Sequence, residues 1–239
     1  MKKLLLTLTL VCLLLCGCAA PAPHTPEEPT PPQHSPFYLP DVTVDEIILY
    51  FNEVCLDAEI STSGDASVLQ KWEDPIYYTV EGTPTDKDRS VLRDFALWLN
   101  TVDYFPGIFE AKEGDTANLA IHFCSAGEME GIMGDWATGL DGAVTFWYAD
   151  DRIYDATICC RSDIDQETRN SVILEEIYNG LGPVQDTQLR TDSIAYAEFS
   201  TPQSLSTIDE LILALLYHPD LDPGMDAAEC EAVIRQLYY

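Results

Sequence analysis

From residue 43 onward, stretches whose apolar side chains recur every three to four positions are interleaved with short apolar runs, a pattern that predicts helices alternating with strands. The first helix starts at Thr43, where Glu46 completes a capping box and Ile47, Ile48, Phe51, Val54 and Cys55 form the inward stripe. Trp72 to Val80 reads as a strand, and Pro75 inside it argues for an edge position, because proline cannot donate to a ladder. Helical spacing returns from Thr85 to Asn100, with Asp88 near its start and Val91, Leu92, Phe95 and Leu99 inward. Ala117 to Cys124, Ala143 to Tyr148 and Ile153 to Cys160 then read as strands in succession.

A further helix runs from Gln166 to Asn179, capped by Asp165 and stopped by Gly180 and Gly182. Its Ile173, Leu174, Ile177, Tyr178 and Leu181 share one side, which turns Glu175, Glu176 and Asn179 towards the other. Thr207 to Tyr217 is a strongly apolar helix, and a last one opens on the capping pair Asp226 and Glu229, with Val233, Ile234 and Leu237 inward. This order predicts an α+β domain over residues 41–239, with a small mixed or antiparallel sheet flanked by helices.

The N-terminus is different in kind. Lys2 and Lys3 precede an apolar run from Leu4 to Leu15, the layout of a secretory signal peptide and too short to span a bilayer comfortably. Leu15-Cys16-Gly17-Cys18-Ala19 resembles the lipobox of bacterial lipoproteins, which predicts cleavage after residue 17 and a lipid on Cys18. Residues 18–40 are rich in proline, threonine and glutamate, and read as a semi-rigid tether. The expectation is a protein outside the cytoplasm, held to the membrane through its lipid anchor. A net charge of −29 excludes nucleic acid as a partner, since binding there needs a basic footprint. Beyond Cys18 stand Cys55, Cys124, Cys159, Cys160 and Cys230, an odd set that argues against a full disulfide framework.

Candidate chemistry is sparse. His24 and His34 fall in the tether, and His122 and His218 lie far apart, so no pair has metal-ligand spacing. Asp150-Asp151 and Asp163-x-Asp165 read as turn and cap residues. The segment Ile173-Leu-Glu-Glu-Ile-Tyr-Asn-Gly-Leu-Gly182 has the shape of the helix H-E-x-x-H-x-x-G of zinc peptidases, but Glu175 and Asn179 stand where the histidines would be and Glu176 where the glutamate would be. With this helix, the turn Asp192-Ser-Ile-Ala-Tyr196 and the tail Leu216-Tyr-His-Pro-Asp-Leu-Asp-Pro-Gly-Met225, the chain resembles domain-of-unknown-function family 2927, secreted proteins with a zincin-like look.

That resemblance implies a zincin-like fold and a cleft lined by Glu175, Glu176, Asn179, Gln185 and Tyr196. An oxygen-only set of this kind suits a hard cation and would hold zinc poorly, so no cofactor is expected. The leading expectation is a non-catalytic module that binds a protein, a peptide or a cell-envelope component. The alternative is a hydrolase in which Glu176 works with a second carboxylate from Asp186, Asp192 or Asp209, or with a non-zinc metal.

Overall fold

The computed structural model describes residues 35–56, 68–198 and 201–239. The signal peptide, Cys18 and the tether as far as residue 34 lie outside the described residues. Helix α1 (Val44–Leu56) opens on the expected box: Glu46 accepts from the Thr43 amide at 2.8 Å, while its own amide reaches Thr43 Oγ1 at 3.3 Å. Residues 35–40, read as tether, belong to the domain instead. Phe37 and Leu39 pack on the core, and Phe37 meets the His218 ring edge-on at 5.5 Å. The apolar Phe37-Tyr38-Leu39 is the point at which the proline-rich composition ends.

The expected strand from Trp72 to Val80 is two pieces, β1 (Lys71–Trp72) and β2 (Ile76–Gly82), and Pro75 sits in the break. Its missing N–H therefore costs no ladder bond, and β2 lies inside the sheet, not at its edge. Next come helix α2 (Asp86–Leu99), strand β3 (Ile108–Glu110), strand β4 (Leu119–Cys124), helix α3 (Ala126–Met133), a short 3-10 turn, and the hairpin β5 (Gly142–Ala149) and β6 (Arg152–Arg161). Helices α4 (Gln166–Gly180), α5 (Thr207–Leu216) and α6 (Ala227–Tyr238) complete the chain.

The sheet order is β1-β6-β4-β2-β3, with β5 paired to β6. β2 is parallel to β3 and to β4, β4 to β6, and β1 to β6; the β5–β6 hairpin alone is antiparallel. This is an α/β arrangement, a mostly parallel sheet flanked by helices, and it corrects the expected α+β, zincin-like fold with a small mixed or antiparallel sheet. The reason is physical. Periodicity reports which residues are strand and which side is buried, but it carries no information on strand direction. β3 is too short to show a period, and α3 has only Met129 buried, so the helical crossover after β4 was hidden and successive strands looked like a meander.

Candidate functional site

Helix α4 carries the candidate residues, and both of its ends are fixed. Asp165 caps it by accepting from the amides of Glu167 and Thr168, both at 3.0 Å. One turn in, Arg169 makes a buried ion pair with Asp88 of α2 at 2.8 Å, and Gln166 Nε2 donates to the same carboxylate at 2.7 Å. Burial alone would raise the Asp88 pKa, but the bonds from Gln166, Thr85 and Arg169 outweigh it and hold the group below its usual range. At the far end, Trp72 Nε1 donates to Gly180 O at 2.9 Å and Tyr217 OH to Leu181 O at 2.8 Å. Gly182, at φ +127°, lies where an added Cβ would come within 2.6 Å of Gln70 O, so only glycine fits.

Between these anchors every residue from Ser171 to Gly180 is buried. Glu175, Glu176 and Asn179 retain 9%, 7% and 8% of their exposure. They form no solvated helix face: with α2 on one side and the β5–β6 hairpin on another, the apolar stripe and the polar stripe are both interior. Gly142, at the start of β5, makes the room. A Cβ there would stand 2.4 Å from Glu176 Oε1 and 2.5 Å from Val172 Cγ1, so the glutamate side chain occupies space that any other residue at 142 would fill.

This burial decides the chemistry of Glu176. Loss of water, and then the charges of Glu175 and Asp186, push its pKa well above the usual carboxylate range. A neutral carboxyl offers an O–H donor that a carboxylate lacks. Acceptors are in surplus nearby in sequence: Asn179 Oδ1 and Gln185 Oε1 are buried, and both lack a hydrogen-bond partner among the described residues. Gln185 is half-buried beyond the helix end, and Tyr196 is buried on a loop tied to Thr187 by the bonds Thr187 N to Ala195 O at 2.8 Å and Ala197 N to Thr187 O at 3.0 Å.

The proposed second carboxylates separate clearly. Asp192 is exposed and engaged by Arg190, with two bonds of 3.0 Å. Asp209 is fully buried and accepts from Tyr50 OH at 2.9 Å, Ser193 Oγ at 2.8 Å, the Ile194 amide at 2.9 Å, and the amide and hydroxyl of Ser206 at 2.9 and 2.7 Å. It completes the capping box that Ser206 opens at the start of α5 and ties the 193–194 turn to α1, a structural task. Asp186 alone of the three acts on Glu176. Sequence reasoning missed Gly142 and Arg169, and only Gly142 left a trace there, as a glycine opening an apolar strand.

Among the described residues, Cys55, Cys124, Cys159, Cys160 and Cys230 are buried free thiols. Cys160 faces the main core, whereas Cys159 joins Cys124 in the small cluster under α3, as adjacent strand residues on opposite faces must. Burial pushes Cys159 up to about 12, which removes it from nucleophilic chemistry. Among the described residues no three His, Cys, Asp or Glu side chains are grouped as metal ligands.

Fold and site together define an α/β domain whose polar helix is an interior element, with a buried acid of raised pKa at its centre. By sequence, the chain belongs to the family described as "Protein of unknown function (DUF2927)", whose model matches residues 45–236. The match assigns neither a zincin relationship nor an activity. No curated protein matches the chain.

Proposed function

We propose that this protein is a lipid-anchored, extracytoplasmic binding module without catalytic activity, presenting its domain to a protein or another component of the cell envelope. The observation that supports the non-catalytic part is the burial of Glu176 against Gly142: a base or nucleophile must meet its substrate charged and within reach, and this carboxyl is interior, with burial raising its pKa well above the usual range. The anchor rests on the sequence Leu15-Cys16-Gly17-Cys18 behind a signal-like segment. Among the described residues no helix is long and apolar enough to cross a membrane, which leaves membrane attachment by this part of the chain without a helical route.

Incubation of the purified domain with casein and with a peptide library, with and without chelator, is expected to give no hydrolysis; chelator-sensitive cleavage would contradict the proposal. Cys18→Ala is expected to move the protein from the membrane to the soluble or secreted fraction, because no acyl chain then attaches. Retention of the variant in the membrane at the wild-type level would count against the anchor. A second reading, a hydrolase with Glu176 as proton donor and Asp186 as its partner, is favoured by their electrostatic coupling. It requires activity that Asp186→Asn abolishes without unfolding the domain.

A further inference from the structure

A parallel sheet is closed where helices or further strands cover its edges, and at β5 this one is open. β5 runs eight residues from Gly142 to Ala149 and pairs with β6 alone among the described residues, whereas the opposite edge, β3, has three. Among the described residues no backbone bond is made to the outward N–H and C=O groups of β5, which form an open ladder. A register shift falls between Trp147 and Tyr148, and the two rings are exposed in succession, at 44% and 46%. Tyr154, on the neighbouring strand, is 54% exposed. The end of α3 lies over the same strand, since Thr145 Oγ1 approaches Met133 Sδ at 3.9 Å, and Ile132 and Trp136 beside it are exposed as well.

The charges around this edge are one-sided. Asp155 stands directly opposite Trp147, and Asp150 and Asp151 form the hairpin turn at positive φ of 50° and 60°. The basic residues of β6 are already engaged: Arg152 by Glu73, and Arg161 by Asp141 and Asp163, both at 2.9 Å. What remains beside the open ladder, among the described residues, is aromatic surface and an excess of acid over base.

We propose that β5 is the docking edge for an extended, basic peptide segment of a partner protein, added to the sheet as a further strand. The inference rests on the binding-module reading and names its site and its ligand class. Backbone pairing along Gly142–Ala149 supplies the register, and the lysine or arginine side chains of the segment that fall on the Trp147 face lie over that ring and beside Asp155, with Asp150 and Asp151 at the end of the strand. A neutral or acidic strand meets the same ladder without the ion pairs, and a helical ligand cannot use the ladder at all.

The test uses the full mature chain and dye-labelled octapeptides at physiological salt, read by fluorescence anisotropy: alternating Lys and Val, the same length of alternating Glu and Val, and the Lys–Val peptide N-methylated on one edge. The Lys–Val peptide is expected to bind, the acidic peptide and the N-methylated peptide each at least about tenfold more weakly. Trp147→Ala is expected to weaken binding about fivefold or more while leaving the thermal unfolding curve in place. Val144→Pro, which removes an N–H that points away from β6 because hydrogen-bonded pairs alternate along the hairpin from the Arg161–Asp141 bond, serves as the second variant if its fold is retained. Absence of Lys–Val binding, equal binding of the acidic or N-methylated peptide, or an unchanged affinity of Trp147→Ala would overturn the proposal. Mass spectrometry of the recovered peptide separates the two readings: cleavage contradicts the non-catalytic module and leaves the docking edge standing. Photo-crosslinking of an envelope partner at another face, with none at β5, does the reverse.

Discussion

Asp209→Ala is expected to destabilise the domain by about 3–4 kcal/mol, as the loss of one buried acceptor strands several donors at once. Tyr50 OH, Ser193 Oγ, the Ile194 amide and the Ser206 amide all donate to this carboxylate, at 2.8 to 2.9 Å. Tyr50 retains Ser193 Oγ as a partner at 2.6 Å, but the Ile194 and Ser206 amides have no substitute acceptor in the side chain of alanine. Each amide left buried without a partner costs about 1–3 kcal/mol. Asp209→Asn, which keeps an acceptor oxygen, is expected to cost about half as much. Urea unfolding of the variants checks this, with a shifted midpoint and an unchanged slope.

Arg169→Met carries the second large effect. It removes the guanidinium from a fully buried carboxylate, Asp88, and from Ser162 O, to which Nη1 donates at 2.6 Å. Deleting one member of a buried ion pair costs about 3–5 kcal/mol, because the other stays charged in a poor solvent. The pH dependence supplies a signature. Asp88 has a folded pKa below its unfolded one, so its stabilising contribution is full above the unfolded carboxylate range and is lost as the pH falls through the lowered value. The gap between wild type and Arg169→Met is therefore expected to narrow below about pH 4, where Asp88 takes up a proton in the variant first. A gap independent of pH would mean that packing of the arginine stem, not the charge, is what the variant removes.

The sequence was most legible where chemistry is local. The boxes at Thr43, Thr85 and Asp226 and the cap at Asp165 mark the starts of α1, α2, α6 and α4, since each depends on residues three apart in the chain. α3 also has a box, Ser125 with Glu128, but Gly127 and Gly131 and its single buried residue leave no apolar stripe to read. What failed was everything fixed by distant partners. Strand direction in β2, β4 and β6 depends on crossovers, not on composition. A helix surrounded on all sides by protein normally has an apolar sequence throughout, so the polar residues of α4 do not announce its full burial. Its Glu175, Glu176 and Asn179 break that rule, and nothing within the helix announces that Gly142, more than thirty positions earlier, makes space for one of them.

The burial and raised pKa of Glu176 carry the functional reading, and one comparison tests them directly: unfolding free energy of wild type and Glu176→Gln across pH 4 to 8. The folded pKa of Glu176 is raised, so its protonated form stabilises the domain fully below the unfolded carboxylate range, and that contribution is lost as the pH rises towards the folded value. Glutamine has the shape of the neutral acid and cannot ionise, so the variant is spared this loss. The account predicts that the two proteins have similar stability near pH 4, and that Glu176→Gln is the more stable at pH 8, by about 1 kcal/mol or more, a rise of a few degrees in Tm for a domain of this size. A variant less stable than wild type at pH 8, with a gap that grows as the pH rises, would show a charged Glu176 held by favourable partners, and would contradict the interior acid of raised pKa on which the non-catalytic module rests.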